Sequence, residues 1–169
     1  TGKIPFSKVL LHPMVRDAQG QKMSKSKGNV IDPLEIEEEL GADTLRMTLH
    51  GLCVQGRDIR LSSEQLQAYR NFINKLWNAT KFVLMDQSVK NNSWKERPQP
   101  KDLASRWILS RLDECVKKVN HSWENFRIKE AADTLYHFLW EDFCDWYLES
   151  AKASREESQS TLLLSLIHI

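Results

Sequence analysis

The chain has few cysteines, and the three that it has are far apart. Cys53, Cys115 and Cys144 form no Cys-x-x-Cys pair and have no neighbouring histidine cluster, so we expect neither a zinc site nor another resident metal. Their odd number and wide spacing favour reduced thiols in the interior of a cytoplasmic protein.

The sequence has neither a large net charge nor a hydrophobic run of membrane-spanning length. Twenty-four basic and 23 acidic residues leave a formal net charge of +1, so the global cationic field common in nucleic-acid-binding proteins is absent and any RNA contact must be local. No stretch is apolar and long enough to cross a bilayer. The first residues contain neither a signal-peptide-like apolar run nor a start methionine, so we expect the chain to begin inside a longer protein.

Glycine is also scarce, with six residues, but two of them flank the most informative segment. Between Gly20 and Gly28 lies the sequence Lys22-Met23-Ser24-Lys25-Ser26, a polar stretch with two lysines three positions apart. A lysine carries a compact ammonium group on a flexible stem, so such a pair can follow phosphate oxygens as charge moves to a leaving group. Glycines permit backbone angles that other residues resist. The segment therefore predicts a movable loop that binds a polyphosphate.

The pattern in residues 1–61 is typical of the end of an α/β domain and its connecting segment. The apolar runs Val9–Leu11 and Met14–Val15, interrupted by Pro13, predict a strand that ends near the lysine loop. His12 lies at the end of this strand, where it could face the loop, although an isolated histidine more often has a structural role.

Two short helices are expected after the loop. Asp32 is a favourable N-cap residue and Pro33 suits the first helical position, which predicts a helix from Pro33 to about Leu40. Gly41 would end this helix, and Asp43 can begin a second one that carries leucines on one face.

From residue 62 to residue 155 the pattern is helical throughout. Ser62 or Ser63 can cap a first long helix, and a polar segment with Pro98 and Pro100 separates it from a second. Apolar residues then recur at steps of three and four in three segments, which predicts a bundle of three long amphipathic helices. The recurring residues are Leu66, Tyr69, Ile73, Leu76, Thr80 and Val83; Ile108, Leu112, Cys115, Val116 and Val119; and Ile128, Ala132, Leu135, Leu139, Phe143 and Trp146.

Residues 156–169 form a tail that differs from the rest of the chain. Six of its last eight residues are large and apolar, so the segment must be buried or it will promote association. The pattern is compatible with a truncated further helix and with sequence foreign to the rest of the protein.

The lysine loop and its continuation, Lys27-Gly28-Asn29-Val30-Ile31-Asp32-Pro33, resemble the KMSKS signature of the class I aminoacyl-tRNA synthetases. Within this class the flanking sequence resembles the valyl-tRNA synthetases in several separated blocks. The isoleucyl and leucyl enzymes share the architecture and remain alternatives. The matching blocks are residues 1–6, His12, Arg16-Asp17, Gly20-Gln21, 56–59, 69–79 and 142–149.

The resemblance implies a mixed fold and a specific chemistry. Residues 1–61 would be the C-terminal end of a Rossmann-like α/β catalytic domain, and residues 62–155 an all-α anticodon-binding bundle. The KMSKS loop of the family closes on ATP and its Mg²⁺, so Lys22 and Lys25 would be catalytic, holding the phosphates and stabilising the departing pyrophosphate. Met23 and Ser24 would line the adenine side, and Ser24 and Ser26 would supply hydroxyl donors. The valine carboxylate would attack the α-phosphate, and valyl-adenylate would then acylate tRNA(Val).

Contacts with tRNA are expected to be made by side chains that stack on single-stranded bases or bond to their edges. Trp77 also falls where a core stripe would place it, so packing is the more ordinary role for it and for Trp107, Trp140 and Trp146. The candidates for tRNA contact are Arg57, Arg70, Asn74, Lys75, Trp77 and Asn78.

Several parts of such an enzyme are missing from the sequence. The His-Ile-Gly-His motif, the first half of the nucleotide fold and the editing insertion are absent, so we expect the segment alone not to aminoacylate. The resemblance further suggests that the full-length protein is a monomer. Two other interpretations stay open: an RNA-binding helical module without a catalytic partner, and a helical interaction protein with a chance lysine loop. A GxxxxGK[ST] phosphate loop is excluded, because no Lys-Ser pair follows Gly28.

Overall fold

A computed structural model describes residues 2–85 and 97–167, and in these ranges the chain is mostly helical with one small sheet. The π-helical segment Phe138–Tyr147 continues α5 without a break. The elements are β1 (Val15–Arg16), α1 (Pro33–Leu40), α2 (Ala42–Leu52), β2 (Ile59–Arg60), α3 (Ser63–Leu84), α4 (Leu103–Glu124), α5 (Ile128–His137), α6 (Leu148–Ala151) and α7 (Arg155–Ile167). None of the helices in the described ranges is long and apolar enough to cross a membrane.

The sheet is a parallel pair of two-residue strands. Val15 of β1 lies opposite Ile59 of β2, and the amide of Ile59 donates a 2.8 Å hydrogen bond to the carbonyl oxygen of Met14. The predicted strand was too long, because residues 9–11 lie outside it and Val9 and Leu11 are 82% and 83% exposed. An extended segment needs a partner for its backbone groups, and none of the described residues supplies one there.

The two short helices form as predicted. The Asp32 carboxylate accepts a 2.9 Å hydrogen bond from the amide of Leu34 and caps α1. Gly41 adopts φ +88°, which ends α1 and turns the chain directly into α2. The second helix therefore begins at Ala42, one residue before the expected Asp43.

The long helices α3 and α4 lie where the sequence predicts them, and α3 has its predicted cap. At the start of α3, the Ser62 hydroxyl accepts a 3.4 Å bond from the Gln65 amide, and the Gln65 side chain accepts a 3.1 Å bond from the Ser62 amide. Asp102 caps α4 by accepting a 2.7 Å bond from the Ser105 amide. Residues 97–100 lie outside any helix, as the prolines suggested, whereas residues 91–96 of the expected loop lie outside the described residues.

The third long helix forms, but its π-helical part changes which residues face the core. Trp146 was expected in the buried stripe and is 72% exposed, whereas its neighbour Tyr147 is 1% exposed. A π turn bonds residue i to residue i+5 and so contains more residues than an α turn. Across the ten π-helical residues this shifts the inward position from Trp146 to Tyr147.

The bundle core is formed by α3, α4, the π-helical segment and α7. Val83, Ile108, Leu139 and Phe143 are completely buried there. The tail of the chain forms α7, and Leu162 of this helix is also completely buried in the same core. Leu162, Leu163 and Leu164 of the tail are thus covered, and Ile167, the last described residue, is 56% exposed.

A second, smaller apolar cluster connects the lysine-loop region to the bundle. Ile36 of α1, Leu61 after β2 and Leu66 of α3 are its buried members, each less than 8% exposed. Since α3 supplies Leu66 to this cluster and Phe72 to the bundle core, one helix anchors both parts of the chain.

Candidate active site

A tight turn at the end of β1 positions the start of the lysine loop. The amide of Gly20 donates a 2.9 Å bond to the carbonyl oxygen of Asp17, and Gly20 adopts φ +81°. The turn brings Lys22 back beside Arg16, and the two residues pair in an isolated antiparallel bridge. The first lysine of the loop is therefore held beside the C-terminal end of the strand.

The tip of the loop is a single 3₁₀ turn, Lys25–Lys27. The amide of Lys27 donates a 3.1 Å bond to the carbonyl oxygen of Ser24, and the amide of Gly28 donates a 3.2 Å bond to the carbonyl oxygen of Lys25. Gly28 adopts φ +65°. The hydroxyls of Ser24 and Ser26 lie 3.2 Å apart. The tip of the loop is thus ordered by hydrogen bonds among its own residues.

The two candidate catalytic lysines are exposed at this loop. Among the residues that the structure describes, no carboxylate forms an ion pair with Lys22 or Lys25. Met23 and Ser24 are half-buried, and Ser26 is exposed with the lysines. The arrangement leaves these two ammonium groups, and that of the likewise exposed Lys27, available to an anionic ligand, which is the chemistry that the sequence pattern predicts.

Asp17 and Asn29 form the base of the loop, and the sequence analysis gave neither of them a role. Asp17 is 8% exposed, and its carboxylate accepts a 2.6 Å bond from the Gln21 amide and a 2.8 Å bond from Asn29 Nδ2. Asn29 Oδ1 in turn accepts a 2.9 Å bond from the Ser24 amide. The bond from Asn29, followed by backbone donors, holds the pKa of Asp17 below its ordinary value.

A second carboxylate fastens β1 to the segment before β2. Arg16 donates a hydrogen bond to Asp58 and forms an ion pair with it. This contact keeps the pKa of Asp58 below its ordinary value. The strand that carries the lysine loop is therefore attached both by its backbone pairing and by a side-chain ion pair.

His12 is exposed, and its Nδ1 lies 3.0 Å from the carbonyl oxygen of Pro13. It borders a shallow cavity of about 230 Å³ whose other walls include Leu49, Cys53 and Ile128, with no residue of the lysine loop. His12 thus lies beside α2 and the start of α5, and the residues that line its cavity include none from the lysine loop.

Two of the candidate tRNA-binding residues are engaged in contacts within the fold. Arg70 Nη1 donates a 2.6 Å bond to the carbonyl oxygen of Glu39 and so joins α3 to the end of α1. Lys75 Nζ lies 2.7 Å from the Asp145 carboxylate and 3.8 Å from the centre of the Trp140 ring. Both side chains help to hold helices together.

The remaining candidates are exposed. Trp77 is 66% exposed on α3, with Asn74 and Asn78 on the same outer side, and Arg57 is exposed in the turn before β2. The expectation that Trp77 packs in the core was wrong, because Leu76 and Ala79 take the inward positions at this point of the helix.

The other tryptophans do not behave uniformly. The expectation of packing was wrong for Trp146, and Trp107 lies at the surface with 37% exposure. Trp140 packs against the core as expected, because its ring stacks on the Tyr136 ring with centroids 5.6 Å apart. Trp77 and Trp146 thus present large aromatic surfaces to solvent.

Metal-ligating side chains are not clustered in the parts of the chain that the structure describes, where no group of three or more His, Cys, Asp or Glu could hold an ion. Cys53, Cys115 and Cys144 are free thiols, and the last two are buried. Burial raises the pKa of both Cys115 and Cys144 to about 11, which keeps them protonated and unreactive at neutral pH.

Comparison with known protein families divides the chain into two matched segments. Residues 1–62, which contain the lysine loop, match the class I tRNA synthetases for I, L, M and V. Residues 105–169 match the anticodon-binding domain of tRNA ligases.

Individual relatives agree with these matches. The valine–tRNA ligase of Geobacter sulfurreducens is 50% identical over 89% of the chain, and that of Syntrophotalea carbinolica is 45% identical over 99%. The chain spans 17% and 20% of these two proteins, or about a fifth of their length. Among solved structures, the ternary complex of LeuRS, tRNA and LeuAMS from Agrobacterium radiobacter K84 matches 96% of the chain and 20% of its own, with a TM-score of 0.76 and 25% identity.

Proposed function

Because this chain belongs to the class I aminoacyl-tRNA synthetases, we propose that it works as part of a valine–tRNA ligase, to which it supplies the ATP-binding lysine loop and a tRNA-binding helical surface. The choice of valine is supported by the 45% and 50% identity to valine–tRNA ligases, compared with 25% to the leucyl structure. The leucyl alternative is correspondingly disfavoured.

The proposed reaction has two steps. The valine carboxylate attacks the α-phosphate of ATP, pyrophosphate leaves, and the valyl group then passes from the adenylate to the terminal ribose of tRNA(Val). Lys25 and Lys22 stabilise the negative charge that develops on the departing pyrophosphate, and Mg²⁺ bound with ATP shares this charge. Met23 and Ser24 line the adenine side of the loop, and Ser26 adds a hydroxyl near the phosphates. Positioning and charge stabilisation provide most of the rate acceleration in such phosphate chemistry.

One observation carries this proposal: Lys22 and Lys25 are exposed and form no ion pair with any described carboxylate, on a loop whose base is held by hydrogen bonds. Unpaired ammonium groups on one ordered loop are suited to bind the phosphates of a nucleotide.

The test is valine-dependent exchange of pyrophosphate into ATP by the full-length protein that contains this chain. Lys25→Ala and Lys22→Ala should each lower the exchange rate by about 10²–10³-fold, the usual effect of removing one transition-state donor. Lys27→Ala is the matched control, since it removes the same charge from the same turn. Equal losses in all three variants, or no loss in the first two, would refute the proposed roles.

We further propose that the segment alone does not catalyse the exchange, because it spans only a fifth of its relatives and lacks the His-Ile-Gly-His motif. Exchange above background by the purified 169-residue chain would contradict this.

For tRNA binding we propose the outer side of α3, where Asn74, Trp77 and Asn78 are exposed together, with Arg57 beside β2. Arg70 and Lys75 would support this surface mainly by holding helices in place. Trp77→Ala should weaken binding of tRNA(Val) to the full-length protein by about 1–3 kcal/mol, the usual worth of a base stacked on an aromatic ring. Trp146→Ala, which removes an equally exposed ring elsewhere, is the control. A loss in the control alone would move the site to the π-helical segment.

The working environment is proposed from the cysteines and the family. Three free thiols fit the reducing cytoplasm. We propose that the full-length protein acts there as a monomer, and light scattering of the purified protein at micromolar concentration would test this.

A further inference from the structure

We infer that Asp17 and Asn29 are positioning residues for the lysine loop, which set where Lys22 and Lys25 stand when ATP is bound. The inference rests on the proposed function of the loop. It concerns residues that touch neither lysine side chain and that act through the backbone of the loop.

The direction of each hydrogen bond follows from the chemistry of the groups. The Ser24 amide can only donate, so the Asn29 atom 2.9 Å away must be the oxygen. The Asp17 carboxylate can only accept when ionised, so the Asn29 atom 2.8 Å away must be the nitrogen. Only one orientation of the Asn29 amide satisfies both partners, and it also places Nδ2 3.3 Å from the carbonyl oxygen of Lys22.

These bonds connect the two ends of the loop to the strand. Asn29 follows the loop, whereas Lys22 and Ser24 precede its tip, so one amide side chain joins both arms. Asp17 lies at the end of β1 and also accepts a 2.6 Å bond from the Gln21 amide. With Gly20 and Gly28 in left-handed conformations on either side, the glycines alone would leave the arms free to move.

The hydrogen bond between Asp17 and Asn29 is shielded from water. Asp17 is 8% exposed and Asn29 is half-buried, whereas both lysines are exposed. A hydrogen bond to a charged group that is shielded from water is stronger than one at the surface. The base of the loop is thus fixed while its cationic tip is free to meet a ligand. A catalytic group displaced by about 1 Å can lose 10²-fold in rate, so this base is placed to control the chemistry.

A reciprocal exchange of the two side chains tests the inference in the full-length protein. Asn29→Asp sets two carboxylates against each other. Asp17→Asn replaces two acceptor oxygens by one oxygen and one NH₂ group, so the new side chain cannot accept from both the Gln21 amide and Asn29 Nδ2. The double variant restores a donor and an acceptor: the amide introduced by Asp17→Asn can accept from Gln21 and donate to the carboxylate introduced by Asn29→Asp, which still accepts from Ser24. Each single variant should form valyl-adenylate about 10–100-fold more slowly. The double variant should regain part of that rate, because the bond from Asn29 to the carbonyl oxygen of Lys22 stays lost.

Two further measurements separate positioning from a general loss of structure. KM for valine and the thermal unfolding midpoint should stay near the parent values while the rate of adenylate formation falls. Asp32→Asn is the matched control, because it makes the same carboxylate-to-amide change at the cap of α1, where asparagine is an equally good cap. Asn29→Ala removes all three side-chain bonds of Asn29 without adding charge, and it tests the inference if Asn29→Asp does not fold.

The outcomes distinguish this inference from the proposed function. If Lys25→Ala slows adenylate formation while the single exchanges have no effect, or while the double variant is as slow as the slower single, the positioning role is wrong and the lysine role survives. If Lys25→Ala itself has no effect, the proposed function fails first. Slow single variants, a recovered double variant and an unaffected control would establish the role of both residues.

Discussion

The hydroxyl of Tyr147 lies 2.8 Å from the hydroxyl of Ser105, and both residues are almost completely buried between the π-helical segment and α4. Ser158 and Thr161 of α7 also hydrogen-bond to Tyr147, so one phenol joins three helices. Tyr147→Phe keeps the ring and leaves these buried groups without their partner. The free energy of unfolding of the chain should fall by about 1–3 kcal/mol, measured by urea denaturation.

The same pair provides its own control. Ser105→Ala should cost less than Tyr147→Phe, because the phenol keeps its bonds to α7. The double variant should then be less destabilised than the sum of the two single variants, since the second change removes a bond that the first has already broken. Strict additivity would show that the hydroxyls do not interact.

The helical part of the fold was largely predictable because its signals are local. Ser62 and Gly41 mark helix ends by chemistry that acts over a few residues, and the structure places the ends there. Leu139 and Phe143 are buried as expected, but the register beyond Phe143 was not predictable in this way. A 3.6-residue period assumes α geometry, and the π turns that replace it move Tyr147 into the position expected for Trp146.

The lysine loop was visible from its own residues, but the parts that support it were not. Asp17 and Asn29 are twelve positions apart, and their contact follows from the path of the chain through Gly20 and Gly28. No periodicity encodes such a contact. The only sequence signal was that both residues lie within the stretches that resemble the family, which indicates importance but no role.

Lys75 is expected to contribute more to stability than its exposed neighbour Asn74. Its ammonium lies 2.7 Å from Asp145 and 3.8 Å from the centre of the Trp140 ring, and both contacts join α3 to the π-helical segment. Lys75→Met should lower the free energy of unfolding by about 1 kcal/mol, because the ion pair is partly screened by water and the cation–π contact is worth a similar amount. Asn74→Ala should change it by less than about 0.5 kcal/mol. Equal effects in urea denaturation would assign Lys75 to the solvated surface.

Stability should fall in alkaline solution because of the buried thiols. Burial raises the pKa of Cys115 and Cys144 from an ordinary value of 9.0 to about 11. Below pH 9 the thiols are protonated in both folded and unfolded chains and contribute no pH dependence. Between pH 9 and 11 the unfolded chain releases protons that the folded chain retains, so the free energy of unfolding decreases as the pH rises.

Urea denaturation at pH 7, 9 and 10.5 would measure this decrease. The double variant Cys115→Ala/Cys144→Ala should be less stable at pH 7, because it leaves cavities, yet its stability should fall less steeply above pH 9. Tyr147 adds a decrease in the same direction above pH 10, because burial raises its pKa too, so a residual slope is expected. An unchanged slope in the double variant would mean that the thiols titrate normally.

Gly51 of α2 is required by the close approach of Tyr69 on α3. A Cβ atom at position 51 would lie 1.8 Å from the Tyr69 hydroxyl oxygen, and the Tyr69 ring has little freedom to retreat because it packs edge-on against Tyr136. Glycine-to-alanine changes inside helices usually stabilise by up to about 1 kcal/mol. Here overpacking should reverse the sign, and Gly51→Ala should lower the free energy of unfolding by about 1–3 kcal/mol.

Removing the obstacle should restore the ordinary helical effect of alanine. In a Tyr69→Ala background, where the three atoms nearest to the new methyl group are gone, Gly51→Ala should be neutral or stabilising. The sign of the change thus depends on whether the Tyr69 ring is present, which a simple loss of flexibility at position 51 cannot produce. If Gly51→Ala destabilises the chain equally in both backgrounds, the packing of α2 on α3 through this pair is not what requires the glycine.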